Sequence, residues 1–280
     1  MNPLTKELAK LALNVVQAGF VLVATKARVI DFPVPPNSSM RKTSSKTIPH
    51  YYVSGIRCYL PIATMALHYG AELDRDISVL DFGCGVGREL LHFQRYYPKP
   101  RYFACDIDAT SVDFVRKNFR VECYKNEFEP PLRYDPSSMD MIYSVSTFSH
   151  LSPSDHLPWL KELCRVTKPG HFCFLTTEGL TGFRKVKEEA ALSACDEKQF
   201  YETGILYKEY PFMDAERRRR HKIPVANVAM GITGSYGNTV LMPDHIRNAW
   251  PASGFEVVDI VEGIIDQRQD LVVLRKPRDS

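Results

Sequence analysis

The chain has 280 residues, 44% of them hydrophobic and 25% charged, a composition typical of a folded globular protein and not of a disordered one. Lysine and arginine total 36 against 33 acidic residues, so the formal net charge of +3 indicates neither a nucleic-acid partner nor a membrane. Seven cysteines without a CxxC or Cys/His spacing predict packed thiols in a reducing compartment, and therefore a cytoplasmic protein without a metal site.

The N-terminal segment, residues 1–50, is predicted to form a helix followed by a lid or linker. Its apolar run, Leu11–Thr25, is too short to span a bilayer and contains two amide side chains, so no transmembrane segment is expected. We expect a packed helix or one that forms a homodimer, with peripheral membrane contact or targeting as the alternative. Prolines, serines and basic residues over 31–47 exclude a continuous helix or strand there.

Residues 51–280 are predicted to form one α/β domain, because short apolar runs alternate with amphipathic stretches in the manner of a parallel sheet covered by helices. A helix is expected over Tyr51–His68. Residues 181–240 break the alternation and are expected to form an insertion or cap beside the pocket of the substrate. The last two strands are joined through Gly263 by too few residues for a crossover helix, so they should form an antiparallel hairpin. Strands are predicted at Ser78–Phe82, Arg101–Cys105, Arg120–Tyr124, Met139–Ser144, His171–Thr177, Phe255–Val261 and Asp270–Leu274, and further helices at Gly87–Tyr96, Ala109–Asn118, Pro153–Val166 and Pro243–Trp250.

A glycine-rich turn carries the clearest functional signal. It lies in VLDFGCGVGREL, residues 79–90, where a buried strand runs into Gly83, Gly85 and Gly87 and then into a helix. Glycines there allow a tight turn and the close approach of a ligand. Asp106 ends the next strand, where a carboxylate can accept hydrogen bonds from both hydroxyls of a ribose. Together the two features predict a nucleoside-containing ligand.

The charge beside this turn distinguishes between two nucleoside cofactors. A nicotinamide dinucleotide would place its pyrophosphate on a G-x-G-x-x-G turn, whereas here the glycines alternate as G-x-G-x-G and follow Asp81. A carboxylate so close would repel a pyrophosphate but would attract the ammonium and sulfonium groups of S-adenosylmethionine. The pattern therefore favours the methyl donor.

With VLDFGCGVGREL, FACDID, MDMIYSVSTFSHLS and LCRVTKPGHFCFLTT in this order, the chain resembles the class I S-adenosylmethionine-dependent methyltransferases, particularly the branch that modifies small molecules. The resemblance covers residues 50–177 by motif and extends to the end by topology. It implies a Rossmann-like sheet of seven mostly parallel strands with an antiparallel last strand and helices on both faces. It also implies S-adenosylmethionine as the cofactor, S-adenosylhomocysteine as the product, and a set of donor-binding residues: Asp81, Gly83, Cys84, Gly85, Gly87, Arg88, Asp106, Ile107, Asn126, Glu127, Ser144 and Ser146, with Tyr51, Tyr52 and Arg41 as a cover over the donor.

Several of these positions leave more than one interpretation open. Arg88 either neutralises the donor's carboxylate or is an exposed arginine in the first helical turn. His150 falls at the mouth of the acceptor pocket, where it is either a general base or a structural histidine bonded to the backbone. Glu178, placed just after the fifth strand, is either a second catalytic candidate or a solvated loop carboxylate.

The acceptor is expected to be a small-molecule metabolite of a specialised pathway, methylated on oxygen, nitrogen or carbon, and no nucleic-acid partner is expected. Near-neutral charge supports this expectation, as does Tyr143-Ser144-Val145-Ser146 in place of an Asn-Pro-Pro-Tyr-type tetrapeptide. One alternative is methylation of protein or RNA through the run Arg217–Arg220, which is otherwise a solvated helix face. Another is a non-catalytic partner subunit that only binds S-adenosylmethionine.

Overall fold

The alternation of apolar and amphipathic segments folds as one mixed sheet covered by helices, in a computed structural model that describes residues 32–42, 47–190, 192–209 and 237–278. Its strands are β1 (Ser78–Phe82), β2 (Arg101–Asp106), β3 (Val121–Lys125), β4 (Met139–Ser144), β5 (Thr167–Glu178), β6 (Ile205–Glu209), β7 (Gly237–Leu241), β8 (Glu256–Ile265) and β9 (Gln269–Arg275). The helices are α1 (Asn37–Lys42), α2 (Ile48–His68), α3 (Arg88–Tyr96), α4 (Ala109–Asn118), α5 (Pro153–Val166), α6 (Leu180–Ala190), α7 (Ala194–Thr203) and α8 (Pro243–Ala249), the last followed by a 3₁₀ turn over Trp250–Ser253.

The strand order places a crevice at the carboxyl end of β1. The sheet runs β3-β2-β1-β4-β5-β7-β6, and β9 pairs with both β5 and β8. β1 pairs in parallel with β2 on one side and with β4 on the other, so the direction of chain progression reverses there. Ligands of open α/β sheets bind at such a switch point, outside the carboxyl ends of the strands.

Each face of the sheet carries its own apolar core. Successive residues of a strand point to opposite faces, so Val79 packs with α2, α3 and α4, whereas Leu80 packs with α5 and α8. All five residues of β1 are buried, which explains why its sequence is almost continuously apolar. Asp81 is the charged residue of that run and therefore needs a polar partner inside the core.

Helix α2 begins three residues earlier than its apolar periodicity predicts. Thr47 caps it by accepting a hydrogen bond from the backbone N–H of His50 at 3.2 Å, and Pro49 occupies the first turn. Farther along, Gly55 lies against the first turn of α3, where a Cβ atom would come within 2.5 Å of the Arg88 carbonyl oxygen. Glycine thus permits α2 to lie directly on the helix that follows the glycine turn.

The predicted fold class is confirmed, but in the described part of the chain the sheet has nine strands and not seven. The two additional strands, β6 and β7, come from the segment 181–240, which also contributes α6 and α7. They are short and partly polar, and β7 meets β5 only through the pair Glu178 and Val240, so neither strand stands out in the sequence. The insertion therefore extends the sheet at its β5 edge.

The antiparallel terminal hairpin is also confirmed, but its first strand extends four residues beyond the predicted end at Val261. β8 continues through Gly263 to Ile265, and the turn is made by Asp266 and Gln267, with φ of 52° and 53°. All seven cysteines are free thiols, six of them buried. The predicted helix Leu11–Thr25 and the run Arg217–Arg220 lie outside the described residues. Among the residues that the structure does describe, no helix is both long and apolar enough to cross a membrane.

Candidate active site

The glycine turn lies at the carboxyl end of β1 and is held tightly on both sides. Gly83, Gly85 and Gly87 have φ of 76°, 51° and 73°, in the left-handed region that favours glycine. The backbone N–H groups of Gly83 and Cys84 both donate to the Cys105 carbonyl, at 2.9 and 3.0 Å. A Cβ atom on Gly83 would collide with the Thr147 hydroxyl, and one on Gly87 would come within 3.0 Å of the Phe119 ring. The predicted turn is therefore present, and its shape depends on the glycines.

Asp106 is fixed beside this turn by backbone hydrogen bonds. Its Oδ2 accepts from the Gly85 N–H and its Oδ1 from the Asp108 N–H, both at 2.8 Å. Each carboxylate oxygen can accept more than one hydrogen bond, so a fixed carboxylate keeps capacity for a ligand. Ile107 follows it, half-buried, and the Asn126 N–H donates to the Asp106 carbonyl at 3.1 Å. The structure thus brings Asp106, Ile107 and Asn126 together, and their contacts with the donor stay predictions.

Glu127 stands apart from this group. Its side chain is exposed and lies 3.7 Å from the Lys125 ammonium, so of the two adjacent residues predicted to bind the donor, Asn126 and Glu127, only Asn126 is buried. The Asn126 amide nitrogen donates to the Glu127 carbonyl at 2.7 Å, which orients the Asn126 side chain. The backbone of Glu127, and not its carboxylate, therefore takes part in this corner of the site.

Asp81 lies beneath the glycine turn. Its Oδ2 accepts a hydrogen bond from the Tyr143 hydroxyl at 2.9 Å, and the residue is only 3% exposed. Burial raises the pKa of Asp81 well above its usual range, the nearby Glu89 carboxylate raises it further, and the Tyr143 hydrogen bond opposes the shift. A cation bound above the turn would favour the charged form. The contact of Asp81 with the donor's amino end stays a prediction.

Helix α2 covers the turn from the other side. The Tyr51 hydroxyl donates to the Val86 carbonyl at 3.0 Å, whereas the Tyr52 ring packs edge-on against His92 with centroids 4.6 Å apart. Arg88 is not the exposed arginine of the alternative interpretation, since its side chain is 15% exposed. It donates to the Ser54 hydroxyl at 3.3 Å and pairs with Glu89 at 3.3 Å, so protein groups already neutralise it. The side chain of Arg41 lies outside the described residues.

The loop after β4 joins the donor side to the neighbouring strands. The Ser144 hydroxyl donates to the Phe82 carbonyl at 2.7 Å and lies 2.9 Å from the Thr147 hydroxyl. Ser146 adopts φ of 65°, a conformation that costs a non-glycine residue about 1–2 kcal/mol. Its N–H donates to the Thr176 hydroxyl at 2.7 Å, and its hydroxyl accepts from the Gln269 amide at 2.9 Å. These bonds hold the strained residue in place.

His150 is tied to β7 through its ring and its backbone. Its Nδ1 lies 3.0 Å from the Gly237 carbonyl, and its own carbonyl accepts from the Gly237 N–H at 2.8 Å. Burial lowers the pKa of His150, which favours the neutral ring, and a neutral ring that donates from Nδ1 carries its lone pair on Nε2. The geometry thus provides the backbone-bonded histidine of the alternative interpretation, and a catalytic role stays a prediction.

Glu178 is the last residue of β5 and is buried, so the interpretation as a solvated loop carboxylate is wrong. It pairs with Gln269 of β9 and with Val240 of β7 across the sheet, which removes it from solvent. Its Oε1 forms an ion pair with Arg268, and its Oε2 has no hydrogen-bond partner in the described part of the chain. A half-satisfied buried carboxylate at a strand end is a feature typical of binding sites.

Five residues of this site are not predicted by the sequence reasoning: Tyr143, Thr147, Thr176, Arg268 and Gln269. The polar ending of the otherwise apolar fifth strand, LTTE, is an available signal, because polar side chains at the carboxyl end of a parallel strand face the ligand crevice. No such signal marks Arg268 or Gln269, which come from the far end of the chain.

Comparison with known proteins identifies the domain to which this geometry belongs. Residues 79–170, from β1 to the start of β5, match the methyltransferase domain family. The glycine turn thus lies in a stretch of the chain that is similar to methyltransferase domains. A chain of the complex between the Haloferax volcanii Trm112 methyltransferase activator and a methyltransferase has the same fold, with 14% identity, a TM-score of 0.54, and coverage of 86% of this chain and 94% of that chain.

Two curated relatives of the methyltransferase domain act on tRNA by name. The tRNA N(3)-methylcytidine methyltransferase Mettl2 of Drosophila melanogaster is 23% identical over 153 residues, 50% of this chain and 46% of its own. The human tRNA N(3)-cytidine methyltransferase METTL6 is 25% identical over 115 residues, 38% of this chain and 40% of its own. The chain thus spans about half the length of the curated relatives that it matches.

The residues of this site fit S-adenosylmethionine, the methyl donor that the sequence predicts. The glycine turn offers a backbone surface without side chains, and Asp106 supplies a fixed acceptor for ribose hydroxyls. Asp81 and Glu89 place two further carboxylates near the turn, beside the single guanidinium of Arg88. A ligand that carries positive charge is favoured in such surroundings, and a pyrophosphate is not.

Proposed function

We propose that this protein transfers a methyl group from S-adenosylmethionine to an acceptor bound beside the carboxyl ends of β4 and β5 and the amino end of β9. The supporting observation is the direct connection between the donor turn and a polar cluster. The Thr147 hydroxyl lies directly against Gly83, where a Cβ atom would collide with it. The neighbouring residue, Ser146, is hydrogen-bonded to Thr176 and Gln269. A donor on the turn and an acceptor on the cluster would therefore be neighbours.

The chain's own residues would contribute alignment more than acid–base chemistry. When bound, S-adenosylmethionine supplies a methyl group made electrophilic by the adjacent sulfonium. Asp106 and the glycine turn would hold the nucleoside, and the Ser146 loop would fix the distance to the acceptor. Orienting two reactants and excluding water can by itself supply several kcal/mol of barrier lowering, so methyl transfer needs no strong base.

For the acceptor we favour RNA, and within it a nucleobase. The support is that several relatives are tRNA N(3)-methylcytidine methyltransferases. The small-molecule acceptor and the absence of a nucleic-acid partner stay predictions from the sequence, and the described residues offer no observation that favours them. Cytoplasmic location stays a proposal as well, and the six buried free thiols agree with a reducing compartment.

Donor binding is tested first, by calorimetric titration with S-adenosylhomocysteine and with NAD. We expect binding of the first only. Asp106→Asn removes a charged acceptor from the ribose site and should weaken S-adenosylhomocysteine binding roughly 10- to 100-fold. Asp113→Asn changes an exposed carboxylate of α4 and is the matched control. Equal binding by both variants would exclude the ribose role of Asp106.

The acceptor class is tested with methyl-labelled S-adenosylmethionine and three fractions of the source cells, namely RNA, protein and small molecules. We expect label in RNA and, after digestion to nucleosides, in a methylated base. Label confined to the small-molecule fraction would refute the RNA proposal and support the metabolite. Label in no fraction, together with normal S-adenosylhomocysteine binding, would favour the non-catalytic partner subunit.

A further inference from the structure

Glu178 is a buried carboxylate in which one oxygen is ion-paired and the other has no hydrogen-bond partner among the described residues. The residue is 5% exposed, and its Oε1 is held by the Arg268 guanidinium. Its Oε2 is buried and has no hydrogen-bond donor among the described residues. A buried acceptor left in this state is unfavourable by about 1–3 kcal/mol, so it is expected where a ligand supplies the missing donor.

The position of Glu178 connects it to the methyl-donor side of the domain. Side chains at alternate positions of a strand share one face, so Glu178 and Thr176 face the same way at the end of β5. Thr176 accepts from the Ser146 N–H at 2.7 Å, and Ser146 is one residue before Thr147, which lies against Gly83. An acceptor that touched Glu178 would thus lie next to the donor turn.

The ion pair to Arg268 is set by rigid local geometry. Arg268 directly follows Asp266 and Gln267, the two left-handed residues of the hairpin turn. That turn is tied to α2 by an ion pair of 3.1 Å between Arg57 and Asp266. Arg268 therefore fixes one carboxylate oxygen of Glu178, and the other oxygen keeps a defined direction.

We propose that Glu178 recognises the acceptor by accepting a hydrogen bond from an amino group next to the nitrogen that is methylated. This role rests on the proposed function and narrows its substrate class to bases with an amidine edge. Cytosine has such an edge, with N3 as the nucleophile and the exocyclic amino group beside it, and carboxylates are the side chains that accept from this amino group.

The charge balance of the transfer gives Glu178 a second reason to be a carboxylate. The N3 lone pair forms the new N–C bond while the bond from the methyl carbon to sulfur breaks, and that bonding pair stays on sulfur. The positive charge thereby passes from the sulfonium to the base, where it is shared between N3 and the amino nitrogen. A carboxylate bonded to that amino group stabilises the positive charge that develops on the base in the transition state more than it stabilises the neutral substrate, which is the condition for catalysis.

The test is a cycle of two enzymes and two substrates. Wild type and Glu178→Gln are compared on unmodified tRNA transcripts, and on the same RNA with the target cytidine replaced by pyrimidin-2-one riboside, which lacks the amino group. We expect wild type to prefer cytidine and Glu178→Gln to reduce that preference roughly 10- to 100-fold, because the intrinsic reactivities of the two bases cancel in the ratio. An unchanged preference would overturn the role of Glu178.

Controls separate this outcome from misfolding and from failure of the proposed function. Glu129→Gln, an exposed carboxylate, should leave the preference unchanged, and S-adenosylhomocysteine binding should be normal in each variant used. If Glu178→Gln fails to bind it, Arg268→Gln on the hairpin turn serves instead and should reduce the same preference. If wild type methylates no RNA, both proposals fail; if it methylates RNA with an unaltered preference in these variants, only the role of Glu178 fails.

Discussion

Replacing Gly55 with alanine tests whether α2 is pressed onto the donor turn as tightly as the structure indicates. The added Cβ would lie 2.5 Å from the Arg88 carbonyl oxygen and 3.1 Å from Cδ2 of His92. Alanine is the better helix former by about 1 kcal/mol, whereas overpacking a core contact costs about 1–3 kcal/mol. Since the closest atom belongs to the α3 backbone, it cannot rotate away. We expect a net loss of roughly 0–2 kcal/mol of folding free energy.

The same substitution should weaken donor binding, because α2 would have to move away from α3. Such a shift would break the hydrogen bonds that join Tyr51 to Val86 and Ser54 to Arg88, both next to the glycine turn. Urea unfolding and calorimetric titration with S-adenosylhomocysteine measure the two effects. Thr64→Ala, at an exposed position of α2, is the control and should be slightly stabilising with unchanged binding. Stabilisation by Gly55→Ala with unchanged binding would refute the tight contact.

Three further outcomes follow from burial and backbone geometry. Burial lowers the pKa of His92 and of His156 from 6.5 to about 4, so each neutral ring contributes stability that is present above pH 6.5 and lost as the pH falls through about 4. About 3 kcal/mol per histidine should disappear over that interval in urea unfolding, and equal stability at pH 7 and 4 would contradict it. Gly83→Ala, at φ of 76°, should weaken S-adenosylhomocysteine binding at least about tenfold, whereas Gly254→Ala, at φ of 94° far from the turn, should only destabilise. For Asp81 burial raises the pKa, so its contribution to stability is present at low pH and lost as the pH rises through the raised value. Asp81→Asn should therefore stabilise the ligand-free protein at pH 8, and a thermal melt showing no gain would count against the burial of its charge.

The central sheet can be predicted because each of its strands carries its own signal. The sequence predicts β1 and β4 with the correct limits, since burial on both faces makes a parallel strand a continuous apolar run bounded by polar residues. β6 and β7 escape prediction for the opposite reason. They pair with each other over five residues at the edge of the sheet, where a strand can be buried on one face only. Polar residues are tolerated on the other face, so no apolar run distinguishes these strands from a loop.

The difference between local and tertiary signals also explains which part of the site can be predicted from the sequence. The donor turn is a contiguous motif whose glycines are required by local backbone geometry, so it is visible in one short window. The polar cluster of Ser146, Thr176 and Gln269 is instead built from tertiary contacts. Ser146 and Gln269 are 123 positions apart in the sequence and meet only because β9 pairs with β5. The predicted fifth strand ends before Glu178, because no local pattern in the sequence shows that β7 and β9 cover the end of this strand.

Helix α2 provides a physical link between the two halves of the site. It bonds the glycine turn through Tyr51 and the hairpin turn through Arg57, at 3.0 and 3.1 Å. The Arg57 ion pair is more than a third exposed, so it adds little to stability and acts mainly by fixing geometry. A helix that contacts both turns cannot shift at one without disturbing the other. A substitution that displaces α2 at the glycine turn should therefore also displace the hairpin turn that carries Arg268, and with it the carboxylate of Glu178.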